Sequence, residues 1–72
     1  MSATYSPPIT ILRRKQVEAR TGLSRSAIYD KLNPKSPRHD ATFPIQVRLG
    51  KDAVGWLESE INGWLLSRAN AR

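Results

Sequence analysis

The apolar positions change their period several times along the chain, and each change marks an element. Residues 1–8 hold Ser, Thr and the Pro7-Pro8 pair with no apolar period, so residues 1–10 are expected to form a flexible tail. Ile9-Thr10-Ile11 alternates, and Ile11-Leu12 is expected as a short extended segment packed on the core. Val17 and Thr21 lie four apart, with Ala19 flanking, on one face of a short helix over about Arg14 to Thr21. Gly22 supplies the left-handed residue that ends it. Ser24 can cap a second helix, about Arg25 to Leu32, by accepting a backbone N–H from Ser26 or Ala27. Leu23 and Ile28 have the spacing of a hydrophobic staple around that cap. Asn33-Pro34 stops the helix, because the residue before proline is pushed out of helical geometry. Ala27, Ile28 and Leu32 then face inward, while Arg25, Ser26, Tyr29 and Asn33 share about 100° of arc on the other side.

Asn33 to Pro44 reads as a polar, proline-rich loop that exposes Lys35, Arg38 and His39. Val47 and Leu49 alternate with Gln46 and Arg48, Gly50-Lys51-Asp52-Ala53 turns the chain, and Val54 and Trp56 alternate again, which predicts a β-hairpin. Leu57, Ile61, Trp64, Leu65 and Arg68 form the stripe of a last helix over about Glu58 to Ser67, with residues 69–72 expected to fray. Glu58 and Glu60 near its start and Arg68 near its end suit the helix dipole. The fold class is α+β and mainly helical. It has one domain over residues 11–68, and two helices joined by a Gly-containing turn make its helix-turn-helix.

Composition narrows the function classes. Seventy-two residues hold one small domain, and a chain this short buries only about 60% of its unfolded surface. The absence of cysteine excludes a disulfide framework and a thiolate zinc site. No apolar run approaches the length of a membrane span and no secretory leader is evident, so a cytoplasmic location is expected. The net charge is +6, and its distribution is uneven. Residues 1–12 carry no charge, and residues 49–72 balance three cations against three acids. Arg13 to Arg48 hold nine basic and three acidic residues, hence the whole excess. A concentrated excess of that kind is the footprint of a polyanion-binding face.

The inventory argues against catalysis. One histidine, His39, lies in a polar loop, the six carboxylates are scattered, and no nucleophile–base pair has support. No phosphate-cradling glycine loop and no metal-ligand spacing occur, so no cofactor and no metal are expected. Duplex DNA is the partner that charge and local structure agree on. The second helix opens with Ser24, Arg25 and Ser26, where free N–H groups and the dipole favour a phosphate. In a helix-turn-helix that end approaches base edges in the major groove. Arg25 can pair with guanine, and Tyr29 can contact a phosphate or a thymine methyl. Arg48 and Lys51 of the hairpin reach the neighbouring backbone, with Arg14, Lys15, Lys31, Lys35 and Arg38 as further candidate contacts. Trp56 and Trp64 lie on apolar faces and are expected in the core. Asp30 is awkward near a reading face unless it accepts from a cytosine amine or pairs with Arg25 or Lys31. An RNA-binding domain would want an aromatic platform, yet Tyr5 falls in the tail and Phe43 in the loop. A protein-interaction adaptor docking on an integrase or polymerase, without sequence-specific DNA binding, is the alternative from another class.

Thr21-Gly22-Leu23-Ser24-Arg25-Ser26-Ala27-Ile28-Tyr29, Phe43-Pro44, Val47-Arg48-Leu49-Gly50 and Ala53-Val54-Gly55-Trp56-Leu57-Glu58-Ser59-Glu60-Ile61 with Trp64 together resemble the AlpA family of phage and prophage regulators. The likeness spans about residues 11–66. It implies a winged helix-turn-helix similar to the DNA-binding domains of MerR regulators and small excisionases. It also implies a regulator that controls integrase transcription, prophage excision, or both. By position, Arg25, Ser26 and Tyr29 would be the reading residues and Arg48 to Lys51 the wing. No heptad segment follows the last helix, so a monomer that assembles cooperatively on DNA is expected, with integrase or RNA polymerase as candidate protein partners.

Overall fold

The computed structural model describes residues 9–71. The expected tail at residues 1–8, including Tyr5, and the final Arg72 lie outside the described residues. The order is β1 (Ile11–Leu12), α1 (Arg14–Thr21), α2 (Arg25–Leu32), β2 (Val47–Arg48), β3 (Val54–Leu57) and α3 (Glu58–Asn70). This is a winged helix-turn-helix, with β2 and β3 as the wing.

Local signals explain most element ends. Gly22 adopts φ 76° and its N–H donates to the Glu18 carbonyl at 2.8 Å, closing α1. The Thr21 hydroxyl donates to the Val17 carbonyl at 2.7 Å and accepts from Leu23 N–H at 3.2 Å, which stitches α1 to the turn. Ser24 Oγ then accepts from Ala27 N–H at 3.1 Å and starts α2. The start of α1 lacks a Ser, Thr, Asp or Asn cap; instead the Gln16 side chain reaches back to accept from Arg13 N–H at 2.8 Å. α3 runs three residues past its expected end at Ser67.

The hairpin is part of a larger sheet than the alternation indicated. β1 pairs antiparallel with β3, giving a three-stranded sheet in the order β1-β3-β2. Gly55 permits this close approach: a Cβ there would stand 2.4 Å from Ile11 Cγ2 and 2.9 Å from the Leu12 carbonyl oxygen. Cross-strand partners share a face. Leu12 and Trp56 are partners on the buried side, and Arg48 and Val54 continue that side outward.

The core comprises Leu12, Val17, Ile28, Phe43, Trp56, Ile61 and Trp64, with Leu23, Leu32 and Leu65 packed against it. Both tryptophans are therefore core residues. Ala19, expected to flank the inward face of α1, is exposed, because two residues from Val17 is about 200° round the helix. Phe43 lies in the loop, as expected, yet it is 3% exposed and meets Trp64 edge-to-face, with ring centroids 5.0 Å apart. Its flanking prolines and polar neighbours hide an anchor that only tertiary contact can show. Leu49 shows the reverse: it is 45% exposed where the alternation suggested a buried strand position. β2 ends at Arg48, and the N–H groups of Leu49 and Gly50 both turn to the Ala53 carbonyl.

Candidate nucleic-acid interface

The outer side of α2 is uncovered. Arg25, Ser26 and Asn33 are exposed, and Tyr29 is 38% exposed with the Arg25 guanidinium 5.9 Å from its ring centroid. A groove joins this side to two other elements: Arg13, Arg14 and Lys15 from the start of α1, Tyr29 from α2, and Asp52 and Val54 from the wing line it together. Arg48 lies on the sheet face that Val54 shares, and its guanidinium donates to the Lys51 carbonyl at 3.3 Å, bracing the wing turn. Lys51 is exposed in that turn. The start of α1, α2 and the wing turn thus meet at one groove, which holds Arg13, Arg14 and Lys15 and also Asp52. Arg13 and Asp52 of this groove were absent from the sequence-based candidates, although Arg13 opens the Arg13-Arg14-Lys15 run that signals it.

Ion pairs sort the cations. Arg14 pairs with Glu18, Arg20 with Glu58 (3.0 Å), Lys31 with Asp40 (3.9 Å) and Arg38 with Asp30 (3.4 Å). Among the described residues Arg13, Lys15, Arg25, Lys35, Arg48, Lys51 and Arg68 have no such partner, and the Arg68 guanidinium lies 5.9 Å from the Trp64 ring centroid on α3. Arg20 also donates to Asn62 at 3.3 Å, tying α1 to α3 rather than to the groove.

Lys31 is not brought to the reading side. Two residues from Tyr29, it stands about 200° round α2, with its ammonium 5.5 Å from the Trp64 ring centroid and a side chain only 22% exposed. Its stem packs against the core while the charged end meets Asp40. Asp30 pairs with neither Arg25 nor Lys31; its partner is Arg38 of the connection.

That connection is built rather than slack. Asn33 Oδ1 accepts from Lys35 N–H and Ser36 Oγ from Arg38 N–H, each folding the backbone two residues on. Asp40 anchors its far end. The carboxylate accepts from the Thr42 hydroxyl (2.5 Å), Thr42 N–H (2.9 Å) and the Trp64 indole (3.4 Å), and Asp40 N–H donates to the Lys31 carbonyl (3.1 Å). The Thr42 hydroxyl, helped by Thr42 N–H, the indole and Lys31, holds this carboxyl below its ordinary value of 3.8 against the opposing effect of burial. Lys35 and His39 are exposed along the connection. No cluster of metal-ligating side chains occurs among the described residues, and no described helix is long and apolar enough to cross a membrane.

The family model for the prophage CP4-57 regulatory protein (AlpA) matches residues 10–69, which covers every element except the last residue of α3. The chain belongs to the AlpA family. It is similar to the DNA-binding transcriptional activator AlpA of Escherichia coli K12, with 55% identity over 60 residues, 83% of this chain and 86% of the relative. It is also similar to the uncharacterized protein ORF88 of Enterobacteria phage P4, with 39% identity over 69 residues, 92% of this chain and 72% of that one. No solved structure matches.

Proposed function

We propose that the chain is a sequence-specific double-stranded DNA-binding regulator of prophage genes. α2 enters the major groove with Arg25, Ser26 and Tyr29 toward base edges, Ser24 opens the helix toward a phosphate, and Arg48 and Lys51 follow the adjacent backbone. One observation supports this reading: a groove beside Tyr29 of α2 is lined by the unpaired Arg13 and Lys15 together with Arg14, Asp52 and Val54, and Arg25 stands 5.9 Å from the Tyr29 ring centroid. The name of the Escherichia coli relative supports it. The protein acts in the host cytoplasm on the nucleoid and controls integrase transcription, excision, or both. It works as a monomer that assembles on adjacent sites, with integrase or RNA polymerase as partner.

With about four to six phosphate contacts, log K for duplex DNA falls against log salt with a slope of roughly −4 to −5. A shift assay on a set of duplex fragments that includes an integrase promoter and attachment site from a related prophage, repeated over a salt series, tests this. Affinity that stays flat with salt, or equal for every fragment, refutes the mechanism. The adaptor reading draws on Ile45 and Leu66, 78% and 64% exposed. It predicts binding to integrase or polymerase that survives loss of Arg25 and Lys51.

A further inference from the structure

Asp30 places a carboxylate at the border of the reading side. It stands four residues from Ser26, hence about 40° further round α2. An acid there repels phosphate, yet the side chain is only partly exposed and meets the Arg38 guanidinium at 3.4 Å. Arg38 reaches it from eight residues away because the connection is pinned at both ends. Asn33 and Ser36 set its turns, and Asp40 ties it to Thr42, Trp64 and Lys31.

We propose that Arg38 is a positioning residue that neutralises Asp30 at the edge of the DNA interface and makes no phosphate contact of its own. The inference rests on the DNA-binding reading above. The pair cancels the acid's repulsion without adding sequence-independent attraction. It leaves base discrimination to α2 and keeps non-specific affinity low. The connection is thereby a working part of the interface, and its length serves to deliver one guanidinium to one carboxylate.

Charge bookkeeping gives a test that a direct contact would fail. The probe is a 20-base-pair random-sequence duplex, titrated over a salt series with the full chain, Asp30→Asn, Arg38→Ala and the double variant. If Arg38 serves Asp30, Asp30→Asn releases it to a phosphate. The salt slope then steepens by about 0.9, and affinity at 0.1 M salt rises about five- to tenfold. Arg38→Ala alone weakens binding, and the double variant returns to the wild-type slope, because it removes a neutral pair. If Arg38 already contacts phosphate, Asp30→Asn leaves the slope unchanged and the double variant loses about 0.9, which overturns the proposal. Elution from immobilised heparin repeats the comparison without a duplex. Later elution of Asp30→Asn than of Glu60→Gln, which adds the same charge away from Arg38, with the double variant at the wild-type position, supports the pair even if the chain fails to bind duplex DNA. Identical elution of all four refutes it. Thermal melts of the four proteins within a few degrees of one another show that folding is not the cause.

Discussion

The cations beside the groove and those behind it differ in what they face. Arg13 and Lys15 share the groove beside Tyr29 with Asp52, and Arg25, Arg48 and Lys51 are exposed on α2 and the wing, none of them in an ion pair among the described residues, whereas Arg20, Lys31 and Arg38 are each matched by an acid on another segment. Their residue types are the same and their electrostatic surroundings are not. A matched guanidinium ties elements together, and its charge is offset before any polyanion arrives. An unmatched one keeps its full attraction for phosphate and releases counterions on binding. Net charge therefore counts cations whose charge is already offset within the fold.

The largest effect is expected at the sheet that holds the wing. Gly55→Val drives a side chain into Ile11 and the Leu12 backbone, which separates β1 from β3. A stability loss of about 3 kcal/mol or more is expected, with loss of all DNA binding. Chemical denaturation followed by a shift assay checks it; a well-folded variant that still binds would show that the wing's register is irrelevant.

Arg25→Ala is expected to cost about 1–3 kcal/mol at the specific site and to relax base preference, with the fold intact. Selection of binding sites from a random pool reads the preference directly, and an unchanged consensus would remove Arg25 from the reading set. A finer contrast sets Lys51→Ala against Arg20→Ala. The first should reduce the salt slope by about 1 on every sequence. The second should leave the slope alone and loosen the α1–α3 contact by no more than about 1 kcal/mol, since its ion pair is substantially exposed. Reversal of the two effects would invert the assignment of front and rear.

The smallest expected effect is at acid pH. Folded Asp40 has a lowered pKa, so the stability it supplies is complete above the ordinary aspartate value of 3.8 and lost as pH falls through that value and below. Melts of wild type and Asp40→Asn should differ at neutral pH and converge as the solution is acidified. A gap that widens on acidification would contradict the role of Asp40 as a charged anchor.

Much of the fold was legible because its signals are local. Gly22 has to be left-handed for α1 to end where it does, and Ser24 caps through a neighbour three residues on. Tyr29 and Arg25 share a side of α2 by helical period alone. The site was legible in part for the same reason, since the outer side of α2 and the wing turn follow from spacing. Lys31, a candidate contact by its charge, stands with the core side because it is two residues from Tyr29 on α2. Phe43 was missed because nothing within ten residues of it says that Trp64 waits as its partner.

The order of residues by itself determined the two helices and their turn, the cap, the wing's turning point and the location of the excess charge. Each depends on backbone preferences or on contacts a few positions apart. Only the tertiary structure decided that β1 completes the sheet over Gly55, that Phe43 enters the core, and which cations are left unmatched. Those outcomes depend on groups eight to forty-six positions apart. Distance in space, not the sequence between them, sets the Coulomb and packing energies.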